Sequence, residues 1–103
     1  MKVEELKEKI NHKEDIMILD VREGDEVAGN EDPIPGAKNM PMGKVFVEAK
    51  KGNLPKDEKI VTICKTGGRC EIVARELGAK GYDIDYLEGG LEAWDEAQAS
   101  SDA

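Results

Sequence analysis

Lys59-Ile60-Val61-Thr62-Ile63 is an apolar, β-branched run that ends at Cys64; Lys65-Thr66-Gly67-Gly68-Arg69 follows, and a helical pattern begins at Cys70. An apolar run closed by a Cys, then Gly-Gly, then a helix describes a strand–loop–helix turn. Such a turn sets a thiol over a ring of backbone N–H groups at the positive end of a helix dipole. A cysteine held there has a physical reason to ionise near neutral pH, and the thiolate is the nucleophilic form.

The rest of the chain repeats the strand–helix alternation. Val3, Leu6 and Ile10 mark one face of a short amphipathic helix over residues 3–11, acidic early and basic late as the helix dipole favours. Ile16-Met17-Ile18-Leu19-Asp20-Val21 is a continuous apolar run broken only by Asp20, the pattern of a strand buried on both faces of a parallel sheet. From Gly24 to Gly36 the chain is rich in Gly, Asp, Asn and Pro and reads as a loop with tight turns. Ala37 to Pro41 reads as a short strand near a sheet edge, because proline cannot donate to a ladder. Val45, Phe46 and Ala49 place a helix over 42–50, stopped at Gly52. Beyond the Cys64 loop, Cys70, Val73, Ala74 and Leu77 recur at helical spacing, and Gly78 or Gly81 ends that helix. Ile84-Asp85-Tyr86-Leu87 is the next strand, and Gly89-Gly90 turns the chain into a last short helix carrying Leu91 and Trp94. The pattern predicts one α/β domain over residues 1–97, with a small, largely parallel sheet flanked by helices on both faces. Residues 98–103 read as a polar, frayed tail.

Composition narrows the function classes. The chain has 103 residues, 39% hydrophobic and 37% charged, enough for one modest core. A formal net charge of −8 argues against nucleic acid or an anionic membrane as the main partner. It leaves room for a small anionic substrate, since a local nest of amides with one or two cations overrides the global field. No apolar run has the length of a membrane span and the N-terminus goes straight into charged helical sequence, so the expected location is the cytoplasm. There the only two cysteines, Cys64 and Cys70, are expected to be reduced or catalytic, not a structural staple. Without further ligands they make a poor metal site, and no metal or cofactor is expected. His12, between Asn11 and Lys13, reads as a solvated side chain, so no histidine is expected to act as a base for Cys64.

Around Cys64, Gly67 and Gly68 let backbone amides turn inward, and Lys65 and Arg69 add positive charge; either cation could instead be a solvated surface group. Cys70 carries two readings. It can be a small apolar residue opening the buried stripe, which the periodicity favours, or a resolving thiol for a modified Cys64. Asp20 and Arg22 sit at a strand C-terminus, where open α/β sheets bind ligands; Asp20 reads as a general acid or, in preference, as an ion-pair or turn-capping group.

These residues taken together resemble the single-domain rhodanese family of sulfurtransferases. Asp20-Val21-Arg22-Glu23, Ile34-Pro35-Gly36-Ala37 with Asn39 and Pro41, Cys64 to Arg69, and Gly81-Tyr82 through Leu87-Glu88-Gly89-Gly90 to Trp94 match its motifs in order. The resemblance implies that Cys64 takes a sulfane sulfur from a small anionic donor, thiosulfate or polysulfide, as a persulfide. The acceptor would be cyanide, a thiol or a small thiol protein. The loop from Lys65 through Thr66, Gly67, Gly68 and Arg69 would bind the donor and stabilise the sulfur anion. Three departures stand out: Asp32-Pro33 replaces a common histidine, Cys70 replaces a common serine, and the strand that often precedes the first helix is missing. The first predicts a different turn, the last a sheet of about four strands. Related dual-specificity phosphatases and arsenate reductases place five residues between Cys and Arg; Lys65 to Gly68 is four, which disfavours that chemistry. A non-catalytic binding module is the other alternative, and the retained Cys64 counts against it.

Overall fold

The computed structural model describes residues 1–24 and 34–101. The predicted turns between residues 25 and 33, including the Asp32-Pro33 departure, lie outside the described residues. In chain order the elements are helix α1 (Val3–Asn11), strand β1 (Ile16–Asp20), strand β2 (Lys38–Asn39), helix α2 (Met42–Lys50), strand β3 (Lys59–Ile63), helix α3 (Gly68–Gly78), strand β4 (Ile84–Tyr86) and helix α4 (Gly90–Ser101). The strands form one sheet in the order β2-β1-β3-β4, and each adjacent pair runs parallel.

Parallel pairing brings every strand's C-terminus to one edge. Asp20 lies beside Ile63 and Asn39, and Thr62 beside Tyr86, so the residues that follow each strand gather there. The period-two alternation of β3 divides the core. Val61 and Ile63 join Ile18, Leu6, Leu91 and Trp94 on the face covered by α1 and α4. Ile60 and Cys64 join Leu19, Val45, Val73 and Leu77 on the face covered by α2 and α3. Both faces of the sheet are therefore dry, which is why β1 and β3 read as continuous apolar runs.

Strands β1 and β4 each end one residue earlier than the sequence reading, at Asp20 and Tyr86, and three further boundaries differ. The edge strand shrinks to Lys38 and Asn39, because Met40 and Met42 donate instead to the Asp20 and Val21 carbonyls. Helix α3 starts two residues before Cys70, so Arg69 belongs to its first turn and not to the loop. Helix α4 runs from Gly90 through Ser101, past Gln98, where the sequence reading began the polar tail.

Leu77 is fully buried on the α3 stripe, while Ile72 on the same helix is 52% exposed. Leu77→Ala should cost about 2–5 kcal/mol in urea unfolding, and Ile72→Ala should stay within about 0.5 kcal/mol of wild type.

Candidate active site

Strand β3 delivers Cys64 to the sheet edge, and the next six residues wrap around its sulfur. Gly67, at the N-cap of α3, has φ 106°, a left-handed conformation that side-chain-bearing residues rarely adopt. That reversal aims amides at the thiol. The Gly67 N–H donates to Cys64 Sγ at 3.1 Å and the Cys70 N–H at 3.4 Å. The Cys70 sulfur lies 3.3 Å from Cys64 Sγ. Once Cys64 ionises, Cys70 is the one of the two thiols that still has a proton to donate.

These contacts fix the acidity of the pair. The Cys70 thiol proton is the largest influence lowering the Cys64 pKa, and the backbone N–H groups of Cys70, Gly67 and Thr66 lower it further. Burial opposes them, since Cys64 is only 1% exposed, yet the balance falls from an ordinary 9.0 to about 5. Cys70 moves the other way: donating to Cys64, burial and the neighbouring negative charge all hold its proton on. Cys64 is thus a thiolate at neutral pH without a histidine. The lone histidine, His12, is exposed at the C-cap of α1.

The loop is held from outside by α4. Leu91 N–H donates to the Cys64 carbonyl at 2.8 Å and Glu92 N–H to the Lys65 carbonyl at 3.1 Å. These are free first-turn N–H groups of a helix taking the loop's carbonyls, which leaves the loop's own N–H groups for the sulfur. The approach requires glycine at position 90. A Cβ there would stand 2.5 Å from the Cys64 oxygen and 2.7 Å from the Lys65 oxygen, with φ at 61°. Underneath, the Thr62 hydroxyl donates to the Cys70 carbonyl at 2.9 Å and pins the first turn of α3 to β3.

Of the residues singled out from sequence, Cys64, Gly67 and Cys70 meet at the sulfur. Lys65, Thr66 and Gly68 face solvent around it, and Arg69 is half-buried in the first helical turn. Cys70 is fully buried within the α3 stripe, as its apolar reading expects, and its sulfur also lies against that of Cys64. Asp20 is a buried ion-pair partner, with Arg22 Nη2 donating to its Oδ2 at 2.7 Å and Arg22 Nε to its Oδ1 at 3.0 Å. The Arg22 N–H also donates to Asp20 Oδ1, at 3.1 Å, so the carboxylate caps the turn after β1. Thr62, Gly90, Leu91 and Glu92 carry structural work at the site that the sequence reading did not assign. Among the described residues, no group of three or more His, Cys, Asp or Glu side chains is arranged to hold a metal ion.

Two outcomes follow for the thiolate. Its ultraviolet absorbance should titrate with a midpoint near pH 5 in wild type, and Cys70→Ala should move that midpoint up by about 1 unit or more, since the strongest lowering contact is gone. Gly90→Ala should cost at least about 2 kcal/mol in urea unfolding, from backbone strain and the clash with the loop, and should also raise the midpoint.

A family model described as the Rhodanese-like domain matches residues 2–97. The putative sulfurtransferase YtwF of Bacillus subtilis is 40% identical over 90 residues, spanning 87% of this chain and 84% of that protein. A sulfurtransferase of Allochromatium vinosum is 30% identical over 92 residues, spanning 88% of this chain and 82% of that one. Among solved structures, a rhodanese-related protein from Thermoplasma volcanium is similar with a TM-score of 0.78 at 29% identity, covering 94% of this chain and 90% of that chain. The match runs through every element that builds the Cys64 loop, and the chain belongs to the rhodanese-like domain family.

Proposed function

We propose that this protein is a sulfurtransferase in which Cys64 carries a sulfane sulfur as a persulfide between a small anionic donor and a thiophilic acceptor. The observation that carries this reading is the Cys64 sulfur itself, ringed by N–H groups and a second thiol that hold its pKa well below the ordinary value, with no histidine beside it. A nucleophile that must next leave or be attacked as a sulfur anion needs stabilisation of negative charge more than it needs a base.

With thiosulfate as donor, the Cys64 thiolate attacks the outer sulfur and the electron pair of the broken S–S bond leaves with sulfite. The product is Cys64–S–S⁻. Its negative end extends toward Lys65, Thr66, Gly67, Gly68 and Arg69, where Lys65 supplies an exposed point charge and Arg69 a guanidinium in the first turn of α3. A polysulfide fits the same step. Cyanide, a low-molecular-weight thiol or a cysteine on a small protein then takes the terminal sulfur and restores the thiolate. Asp20 is engaged by Arg22 and caps the turn after β1. Both thiols are free, so the cycle belongs in a reducing compartment such as the cytoplasm. A phosphatase or arsenate reductase is disfavoured by the four-residue span from Lys65 to Gly68, and a purely binding role by the activated thiolate.

Incubation with thiosulfate under non-reducing conditions should yield protein one sulfur atom heavier, with the adduct on Cys64 and none on Cys64→Ser. Arg69→Gln should lower kcat/KM for thiosulfate by about 10-fold or more, the loss of one charge-assisted contact. No adduct with either thiosulfate or polysulfide, on folded wild-type protein, contradicts the assignment; Cys64-dependent turnover of an aryl phosphate would replace it.

A further inference from the structure

The mechanism above needs Cys70 only as a proton donor, which a hydroxyl could also provide. Its sulfur nevertheless sits 3.3 Å from Cys64 Sγ, and closing the pair to a disulfide bond requires an approach of only about 1.3 Å. The position is held firmly. Cys70 is fully buried, its carbonyl accepts from Thr62 Oγ1 at 2.9 Å, and its own N–H rests on Cys64 Sγ. Its S–H has two further acceptors in reach, the Gly67 carbonyl at 3.3 Å and the Leu87 carbonyl at 3.8 Å. Cys70 therefore faces the inner sulfur of any adduct on Cys64 and is shielded from solvent donors and acceptors.

We propose that Cys70 is a resolving thiol that attacks the inner sulfur of the Cys64 persulfide, forming a Cys64–Cys70 disulfide and releasing the sulfane sulfur as hydrosulfide. The step rests on the persulfide reading above. A bond forms between Cys70 Sγ and Cys64 Sγ while the bond from Cys64 Sγ to the outer sulfur breaks. The electron pair of that bond departs with the outer sulfur, and the Cys70 proton leaves with it. Atoms and electrons balance with no outside oxidant, because the sulfane sulfur is the oxidant. Loading also prepares the nucleophile. In the resting protein the anion on Cys64 holds the Cys70 proton in place. In the persulfide the charge moves one atom outward, the inner sulfur becomes electrophilic, and that restraint is relieved. Hydrosulfide is a less basic leaving group than an alkyl thiolate, which favours departure of the outer sulfur.

This gives the site a second outcome that competes with transfer. When an external acceptor is plentiful, it takes the exposed terminal sulfur and the thiolate returns. When acceptors are scarce, the sulfur is released as sulfide and the loop is closed by its own disulfide until a low-molecular-weight thiol or dithiol reduces it. A buried thiol reaches only the inner sulfur, so the two outcomes do not share a route.

The test uses the full chain under anaerobic conditions. Wild type, Cys70→Ser and Cys70→Ala are loaded with thiosulfate, freed of donor, and left without thiol while intact mass and released sulfide are followed. Wild type should convert from the adduct to a species two hydrogens lighter than the reduced protein. One sulfide should appear per protein, with the bond mapped between Cys64 and Cys70. Both variants should keep the adduct and release sulfide at least 10-fold more slowly, and unloaded wild type should stay reduced. A wild-type adduct as long-lived as the variants' adducts, or one lost without the disulfide, overturns the resolving role and leaves the persulfide reading standing. Sulfur that migrates to Cys70 and stays there overturns it as well. Neither adduct nor disulfide in wild type, with no adduct on either variant, overturns both.

Discussion

Two hydrogen bonds from the first turn of α4 decide which way the Cys64 loop faces: Leu91 N–H to the Cys64 carbonyl and Glu92 N–H to the Lys65 carbonyl. A loop with its carbonyls turned toward the sulfur would repel a thiolate. With those carbonyls consumed by a neighbouring helix, the amides of Gly67 and Cys70 are left to converge on Sγ. The sheet supplies the condition for this arrangement. Parallel strands put the C-terminal ends of β3 and β4 side by side, so the turn after β4 meets the turn after β3. Gly90 makes the contact close enough, since no Cβ fits between the two turns.

The chemistry follows from the economy of that nest. One sulfur receives the amide N–H groups of its loop and faces a second sulfur within hydrogen-bond distance, all in the buried interior, where such contacts count for more than in water. Burial alone would push Cys64 toward the neutral thiol; the directed hydrogen bonds reverse that outcome. The same contact that acidifies Cys64 keeps Cys70 protonated, so the pair holds one proton between them. The overall charge of −8 does not enter at this range. Local donors govern the sulfur, while the global field acts on what approaches from afar.

Much of this was legible in the sequence because it rests on local pattern. The continuous apolar run of Ile16–Leu19 announced a strand buried on both faces, the β-branched run ending at Cys64 announced a second strand, and both faces of the sheet are covered. The spacing of Cys70, Val73, Ala74 and Leu77 announced the buried stripe of α3. The Gly67-Gly68 pair announced a turn into a helix, although the left-handed residue proves to be Gly67 alone and the helix opens at Gly68. What stayed hidden depends on long-range contact. Gly89-Gly90 read only as a turn, because nothing local says that Gly90 abuts a loop more than twenty residues earlier. Thr62 read as one more β-branched strand residue, and its bond to the Cys70 carbonyl exists only once α3 lies on β3. Cys70 offered two readings in one dimension; in three, a helix's first buried position also lies against the Cys64 sulfur, a contact the sequence did not place.

In the proposed sulfur transfer, backbone amides and a neighbouring thiol, without a histidine, would ready Cys64 as the sulfur-accepting anion at neutral pH. The most direct measurement is the single-turnover rate of sulfur loading from thiosulfate as a function of pH. The account predicts a rate that rises only through the Cys64 transition near pH 5 and is flat from there across neutrality. A rate that keeps climbing by about 10-fold per pH unit up to the ordinary thiol range near 8.5 would show an unactivated cysteine and contradict it.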